Sequence, residues 1–387
     1  MTHEATTEPG TGVEALNGSR SDTARIVFER ILRYGPRPRS ELAAQLQLSG
    51  ATLTRVTREL LDTGLLRVLP PVTRDRGRPQ EPLDVDEHRA RFVGVKVTSR
   101  EVFAVVTTLR ANPLEELTLP LKSSDPEHVV RAITSLMEAI LAAHTGVAGI
   151  GVSIGGQVAA DGAVLTSPML GWTEPVALGA RLTATLGRPV TVENDLIALL
   201  QGVHWFGIGR RYSSFVLLTI GAGVGVGVVH GGQVLQGHRH LLGQTETMPS
   251  AARDGRPAPI TEIAGGPALL ERARDAGLIG EDGDLEDLLA AHRAGREGAR
   301  EIGGDVAHGV AITLAALVGI LDPEAVMLGG EAIGLIDDSS PPFDDLLREH
   351  LVPEQRDVQL RRLPEDFDEW ARGAAVTAIQ HFAAGLG

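Results

Sequence analysis

The chain has 387 residues, of which 43% are hydrophobic and 22% charged, the balance of an ordinary globular protein. This length exceeds the size at which a single hydrophobic core usually divides, so we expect two or three domains. Because the sequence contains no cysteine, disulfides, thiolate nucleophiles and cysteine-based zinc or iron–sulfur sites are excluded.

The chain shows no targeting or membrane signal. Residues 1–22 are polar, without the apolar stretch of a signal peptide, and we interpret them as a disordered tail. The longest apolar run, Val306–Leu321, is interrupted by His308 and is too short to span a membrane. We therefore expect a cytoplasmic protein with no membrane partner.

The net charge of −14 is distributed unevenly. Residues 23–80 carry eleven arginines against five acidic residues, a net charge of +6, which leaves −20 for the rest of the chain. Attraction to nucleic-acid phosphates acts locally, so a basic segment on an acidic body is typical of a DNA-binding head.

This basic segment has the element order of a winged helix-turn-helix, which we assign to residues 23–88 and call the head. Ser40 and Ser49 are predicted N-caps, and Gly64 stands in C-cap position. Gly35-Pro36 ends the first helix. The predicted elements are helices from Thr23, from Ser40 and from Ser49 to about Thr63, then strands Leu65–Leu69 and Leu83–Val85 around a Pro/Gly/Arg-rich turn.

The third predicted helix has one face suited to DNA. Leu53, Val56 and Leu60 share the side that must face the core. Small residues on the opposite side let a helix enter the major groove, where Arg binds guanine and Thr contacts a base edge. For two arginines alone, a solvated charged face is the alternative. The candidate DNA contacts are Ser49, Ala51, Thr52, Thr54, Arg55 and Arg58.

The tip of the predicted hairpin supplies a second candidate contact. Guanidinium groups on a tight loop suit a narrow, electronegative minor groove. A Gly-Arg-Pro run is also common in surface turns, but its position directly after a wing strand favours DNA. The candidate residues are Arg74, Arg76, Gly77 and Arg78.

After Arg91 the pattern changes to strands alternating with helices, which predicts an α/β body. A break near residues 205–212 divides it into a first lobe, residues 89–207 with a C-terminal helix in 366–387, and a second lobe, residues 208–365. The predicted strands are Phe92–Val97, Val102–Thr107, Val147–Ile154, Val190–Val192, Ser214–Ile220, Val224–Val229 and Ala325–Leu328, and the predicted helices are Pro126–Ala143, one opening near Asp195, and Val306–Leu321.

The head resembles that of the ROK family (repressor, open reading frame, kinase). The matching runs are Arg39–Ala43, Leu48–Arg55, Gly64–Leu66 and Gly77–Pro79. The resemblance implies that the third helix enters the major groove and that the Gly-Arg-Pro wing reaches the minor groove. From about Phe92 it extends over the body and implies a two-lobed sugar-kinase-like fold of the actin/hexokinase, ribonuclease H-like type.

Three body motifs carry this resemblance. Glu193-Asn194-Asp195 matches the segment in which ROK kinases use an Asp as general base and an Asn to hold the sugar; an ordinary helix cap is the alternative. The glycine-rich run Thr219–Gly227 resembles the second phosphate loop, or forms a tight hairpin between buried strands. Asp322–Gly330 resembles the segment near the adenosine site.

Other positions depart from the family pattern. Where ROK kinases have Asp-x-Gly-x-Thr after the first strand, this chain has Lys96-Val97-Thr98, and a lysine cannot ligate magnesium. The sugar-binding Glu and the zinc-binding His of the family correspond to Gln244 and Thr247, and a further sugar-contacting Glu corresponds best to Thr261, with Glu262 one position away.

We therefore predict a sequence-specific DNA-binding regulator, a repressor of carbohydrate-related genes, with an inactive kinase-like body that senses an effector and oligomerises. An ATP-dependent sugar kinase with an appended head is the alternative. The candidate effector residues are Asn194, Asp195, Gln244, Thr247 and Thr261. We expect no catalytic residues and no cofactor. We also expect no metal, because His238 and His240 suit a loop better than a metal site. The expected partners are double-stranded DNA with an inverted-repeat operator, a sugar or sugar derivative, and further copies in a homodimer or homotetramer.

Overall fold

The computed structural model describes residues 20–72, 79–238, 241–337, 339, 341–364 and 368–386. These residues fall into two units, each with its own core. The N-terminal unit comprises residues 20–210 and 368–386, and the C-terminal unit comprises residues 211–364.

The head, at the start of the N-terminal unit, contains three helices followed by a strand pair, as predicted. Strand β3 lies between β1 and β2 and is antiparallel to both. The two-residue strand β1 was not predicted, because so short a strand leaves no periodic pattern. The elements are α1 (Arg20–Tyr34), β1 (Arg37–Pro38), α2 (Arg39–Gln45), α3 (Gly50–Asp62), β2 (Leu66–Val68) and β3 (Pro82–Val85).

The helix boundaries of the head confirm one predicted cap and correct another. Ser49 is the N-cap of α3. The prediction that Ser40 caps α2 is wrong: Pro38 is the N-cap, without a side-chain hydrogen bond, and Ser40 lies inside the helix. The Ser40 hydroxyl instead accepts a hydrogen bond from Gln80 Nε2 at 3.2 Å. Thr63 is the C-cap of α3, and Gly64 follows with φ of 75°.

The hydrophobic core of the head continues into the first lobe. Phe28 and Ile31 of α1 are fully buried in the same cluster as Phe92 of the first lobe and Ile379 near the C-terminus. Because these side chains share one buried cluster, the head is packed directly on the lobe.

The first lobe is built on a five-stranded sheet in the order β10-β7-β4-β5-β6. Strand β7 is parallel to β4 and β10, while β4, β5 and β6 form an antiparallel meander. Its elements are β4 (Arg91–Val97), β5 (Glu101–Thr108), β6 (Pro113–Pro120), α4 (Pro126–Ala143), β7 (Val147–Ile154), β8 (Gln157–Val158), β9 (Val164–Thr166), α5 (Leu178–Leu186), β10 (Val190–Asn194) and α6 (Asp195–Trp205), with 3₁₀ turns at Pro168–Leu170 and Ile208–Arg211.

The C-terminal unit is built on a second five-stranded sheet, in the order β13-β12-β11-β16-β17. Its elements are β11 (Phe215–Ile220), β12 (Val224–His230), β13 (Gln233–Val234), β14 (Pro249–Ala251), β15 (Pro257–Pro259), α7 (Ile260–Ala264), α8 (Gly266–Asp275), α9 (Leu285–Arg293), α10 (Glu297–Leu321), β16 (Ala325–Gly329), α11 (Phe343–Glu349) and β17 (Gln359–Arg362), with 3₁₀ turns at Ile333–Ile336 and Pro353–Gln355.

Helix α10 is longer than predicted, beginning at Glu297 rather than Val306. Gly303 and Gly304 interrupt the apolar pattern there, yet Gly303 serves packing, since a Cβ would meet the Leu335 carbonyl oxygen at 2.5 Å. By length and composition alone α10 is long enough to cross a membrane. Val310 and Leu314 are fully buried in the core of this unit, which marks α10 as a core helix.

Helix α12 (Asp368–Ala384) returns to the N-terminal unit and packs across β4 and β7. Two glycines make this close approach possible. A Cβ at Gly94 would lie 1.9 Å from the Ala371 carbonyl oxygen, and one at Gly151 would lie 1.8 Å from that of Ala374. A side chain at either position would displace the helix from the sheet.

Candidate functional site

The predicted DNA-contacting helix α3 is fixed at its first turn by Ser49. Its Oγ accepts a hydrogen bond from the Thr52 backbone N–H at 3.1 Å, and the two hydroxyls are 2.9 Å apart. A serine N-cap satisfies an amide that would otherwise lack a partner in the helix. The inward face is the predicted one, because Leu53, Val56 and Leu60 are buried.

The outward face of α3 carries the candidate DNA contacts. Ala51, Thr54, Arg55 and Arg58 are exposed. Thr54 Oγ1 donates to the Gly50 carbonyl oxygen at 2.7 Å, and Arg55 Nη1 donates to Glu59 Oε1 at 3.2 Å. Within the described part of the chain Arg58 has no ion-pair partner. The guanidinium of Arg58 is therefore available, and that of Arg55 is restrained by Glu59. An exposed ion pair of this kind contributes little to stability.

Side-chain contacts join α3 to α2 and the strand pair of the head to the first lobe. Arg39 Nε, at the start of α2, donates to Thr57 Oγ1 at 3.2 Å, which joins α2 to the buried side of α3. The buried carboxylate of Asp84 in β3 binds Arg67 at 3.5 Å and Arg110 of the first lobe at 2.5 Å. Asp84 therefore links the strand pair of the head to the lobe.

The predicted wing contacts Arg74, Arg76, Gly77 and Arg78 lie outside the described residues, so the minor-groove interaction stays a prediction. The bridge between Val72 and Gln80 brackets this segment at its base.

In the kinase-like part of the first lobe, the candidate base Asp195 forms an ion pair with Lys96. Lys96 lies near the end of β4 and Asp195 opens α6, and the sheet order places both beside the end of β7. Lys96 Nζ binds Asp195 Oδ2 and lies 5.0 Å from the centre of the Trp370 ring. The side chains are 5% and 17% exposed, so the pair is largely shielded from water.

The remaining polar atoms of Asp195 and Asn194 are also engaged. Asp195 Oδ1 accepts from the Leu196 backbone N–H at 2.9 Å. Asn194 caps α6 by accepting from the Ile197 backbone N–H at 3.1 Å, and its Nδ2 donates to the Gly156 carbonyl oxygen at 2.7 Å. Asn194 is therefore the cap of α6, whereas Asp195, which the sequence offered as an ordinary helix cap, is the first residue of the helix and pairs with Lys96.

The turn after β4, where the family's first phosphate loop belongs, is closed on itself. Thr98 Oγ1 accepts from the backbone N–H groups of Arg100 and Glu101 at 3.2 and 3.0 Å. It also donates to the Glu101 carbonyl oxygen at 2.9 Å. Because backbone amides bind an anion by pointing at it, these two amides, already bonded to the Thr98 hydroxyl, are not available to a phosphate.

The other candidate effector residues belong to the C-terminal unit. Gln244 and Thr247 are exposed, and Thr261 is half-buried in α7. The glycine-rich run forms the hairpin β11–β12, closed by a hydrogen bond from the Gly221 backbone N–H to the Gly223 carbonyl oxygen at 2.9 Å. His238 is exposed and His240 lies outside the described residues, among which no cluster of three metal-ligating side chains occurs.

Sequence reasoning identified Lys96 as a departure from the family but missed its role as the partner of Asp195. A single signal pointed to it, namely a lysine within the otherwise apolar strand β4, where burial requires an opposite charge. It also missed Arg33 of α1, whose Nη2 donates to His204 Nε2 at 3.0 Å and whose guanidinium lies over Trp205. Burial lowers the pKa of the Arg33 guanidinium from its usual value.

The ROK family profile matches residues 92–380. The DNA-binding transcriptional repressor Mlc of Escherichia coli is 24% identical, over 86% of this chain and 87% of its own length. The bifunctional enzyme NanE/NanK of Brucella melitensis is 36% identical over 45% of this chain, and the chain spans about a third of that enzyme.

Two solved structures share the fold. The crystal structure of a ROK family transcriptional regulator, a homologue of E. coli Mlc, superposes with a TM-score of 0.79 at 23% identity and covers 95% of this chain and 97% of its own. The ROK hexokinase from Thermus thermophilus superposes with a TM-score of 0.60 at 26% identity and covers 76% of this chain and 99% of its own. The predicted two-lobed sugar-kinase-like fold is confirmed.

Proposed function

Because this chain belongs to the ROK family, we propose that it is a sequence-specific DNA-binding transcription regulator that works in the cytoplasm. The observation that carries the proposal is the Ser49-capped helix α3, with a buried apolar side and an exposed face bearing Arg55 and Arg58. Similarity over most of the chain to the repressor Mlc supports it.

In this proposal α3 reads the major groove. An Arg side chain on its exposed face binds guanine O6 and N7 through two parallel hydrogen bonds, and Thr54 contacts a neighbouring base. The arginines of the wing, at 74, 76 and 78, reach the flanking minor groove. Since one head reads few base pairs, two copies bind an inverted repeat as a homodimer or within a homotetramer.

Selection of bound sequences from a random DNA pool tests the class directly, and an inverted repeat is the expected result. Arg55→Ala should then weaken binding by about 1–3 kcal/mol and relax preference at one position in each half-site. Arg131→Ala, an exposed arginine on α4 of the first lobe, is the matched control and should leave binding unchanged. Equal losses in both variants would contradict the assignment of α3.

The kinase-like body, in the same proposal, does not transfer phosphate. Phosphoryl transfer depends on Mg²⁺ and on amides that hold the phosphates, whereas this chain places Lys96 against Asp195 and closes the phosphate-loop amides with Thr98. A coupled assay with ATP, Mg²⁺ and a panel of hexoses and amino sugars should detect no sugar-dependent hydrolysis. Turnover that disappears in Asp195→Asn would favour the alternative, a sugar kinase with a DNA-binding head.

A sugar or sugar derivative is the proposed effector. Of its candidate contacts, Asn194 and Asp195 lie in the N-terminal unit, and Gln244, Thr247 and Thr261 lie in the C-terminal unit. By linkage, a sugar that binds the DNA-bound and the DNA-free protein with different affinities changes the affinity for DNA by the ratio of those two affinities. Thermal-shift measurements on the same sugar panel test this step. A stabilising sugar whose effect is lost in Asp195→Asn supports the sensor, and no stabilisation by any sugar would contradict it.

A further inference from the structure

We propose that a cavity between the head and the first lobe binds a phosphate group, free or as the monoester of a small metabolite. The cavity has a volume of about 140 Å³ and lies within the N-terminal unit. We call it the junction cavity. Its lining includes the apolar side chains of Leu32 and Phe206 and the polar side chains of Asn112, Arg110, Arg210 and Arg372.

The three guanidinium groups come from three separate elements. Arg110 lies in the turn after β5, Arg210 follows α6, and Arg372 lies in the first half of α12. Planar guanidinium forks bind phosphate oxygens through paired hydrogen bonds. Since one water needs about 10–15 Å³ of such a cavity, a volume of about 140 Å³ has room for a phosphate group.

Of the three cavity arginines, Arg110 and Arg372 pair with carboxylates, whereas Arg210 has no carboxylate partner among the described residues. Arg110 Nη2 binds Asp84, whose carboxylate also serves Arg67, and Arg372 Nη1 binds Glu369 at 2.5 Å. Arg210 Nη1 donates to a neutral backbone carbonyl. A third carboxylate, Glu87, accepts from Asn112 Nδ2 at 2.6 Å.

The cationic groups retain donors for a ligand. Arg110 Nε is buried and has no hydrogen-bond partner among the residues that the structure describes. Because a buried donor without a partner is costly, an anion that accepts from Arg110 and Arg210 would be stabilised.

The same arginines hold the C-terminal end of α1 in the head. Arg110 Nη2 donates to the Ile31 carbonyl oxygen at 3.2 Å, and Arg210 Nη1 donates to the Arg33 carbonyl oxygen at 2.8 Å. A phosphate is a stronger acceptor than a neutral carbonyl. Bound phosphate therefore competes with these two carbonyls for the arginine donors and weakens the attachment of α1 to the first lobe. Neutralising positive charge beside the head also reduces its attraction to DNA. Phosphate binding should therefore weaken DNA binding, and this coupling rests on the proposed function.

The test uses the full chain with inorganic phosphate and glycerol 3-phosphate, at constant ionic strength and with sulfate as the charge control. Calorimetry without DNA should show binding with a Kd of about 1 mM or tighter. Arg210→Gln and Arg372→Gln should weaken it at least about tenfold. Arg188→Gln is the matched control, because Arg188 is also exposed and donates to a backbone carbonyl, that of Val147, at 2.9 Å. Its phosphate affinity should equal that of the parent.

Each outcome decides one part of the proposal. Equal phosphate affinity in Arg210→Gln and the parent, or no binding below about 10 mM, overturns the site, and this result does not depend on DNA binding. A preference for glycerol 3-phosphate assigns a monoester, and a preference for inorganic phosphate assigns the free ion. In operator-binding assays phosphate should lower affinity at least about threefold in the parent but not in Arg210→Gln; unchanged affinity in the parent overturns the coupling.

Discussion

Replacing Lys96 by Met tests the buried ion pair between Lys96 and Asp195. Met keeps the length of the apolar stem but removes the ammonium, which leaves the Asp195 carboxylate, 17% exposed, without its partner. Removal of one member of a buried pair destabilises proteins by about 3–5 kcal/mol, because an uncompensated charge stays buried. Loss of the contact with the Trp370 ring adds to this effect. We therefore expect Lys96→Met to lower the free energy of unfolding of the N-terminal unit by at least about 3 kcal/mol.

Native-state hydrogen exchange followed by mass spectrometry suits this measurement, since it reports opening free energies for β4, β7 and β10 separately from the C-terminal unit. Lys122→Met, at an exposed lysine, is the matched control and should change stability by less than about 0.5 kcal/mol. The double variant Lys96→Met/Asp195→Asn should recover at least about 2 kcal/mol, because the charge is then gone. A loss below about 1 kcal/mol in Lys96→Met, or effects that simply add, would refute the pair.

Three further predictions concern the head, the assembly and pH. Ser49→Ala should cost about 1 kcal/mol of head stability in denaturant unfolding, whereas Ser40→Ala, which caps no helix, should cost less. Light scattering at micromolar concentration should give a mass of two or four chains; a monomer with and without DNA would contradict the inverted-repeat interpretation. Burial and the nearby His350 lower the pKa of His308. The unfolded chain therefore binds a proton first as pH falls through the ordinary value of about 6.5, stability decreases below that pH, and His308→Gln should reduce the slope.

The head was predictable because its signals are local. The Ser49 cap and the alternation of Leu53 and Val56 with exposed residues lie within one helix. Strand β6 was missed, because Pro113–Pro120 contains consecutive acidic residues at an edge and is mostly exposed. Alternation is weak where neither face is fully buried, so composition alone did not predict this strand.

The candidate kinase site was less predictable, since it depends on contacts between distant segments. Lys96 and Asp195 are 99 residues apart, and they meet because β4 and β10 both flank β7. Nothing in the sequence near either residue specifies that order of strands. The same applies to the junction cavity, whose arginines come from three separate elements.

The continuous core of the head and the first lobe bears on how an effector signal would reach DNA. Phe28 of α1 and Ile379 of α12 are fully buried in one cluster, so the head cannot reorient without exposing apolar surface, at about 25 cal/mol per Å². Rotation of the head as a rigid body therefore has a high free-energy cost, whereas exchange of hydrogen bonds at the edge of this core exposes little apolar surface. Asp84, Arg110 and the end of α1 form such an edge. A ligand that changes those polar contacts shifts DNA affinity only by its differential binding to the two arrangements, which favours a graded adjustment of the head over its release.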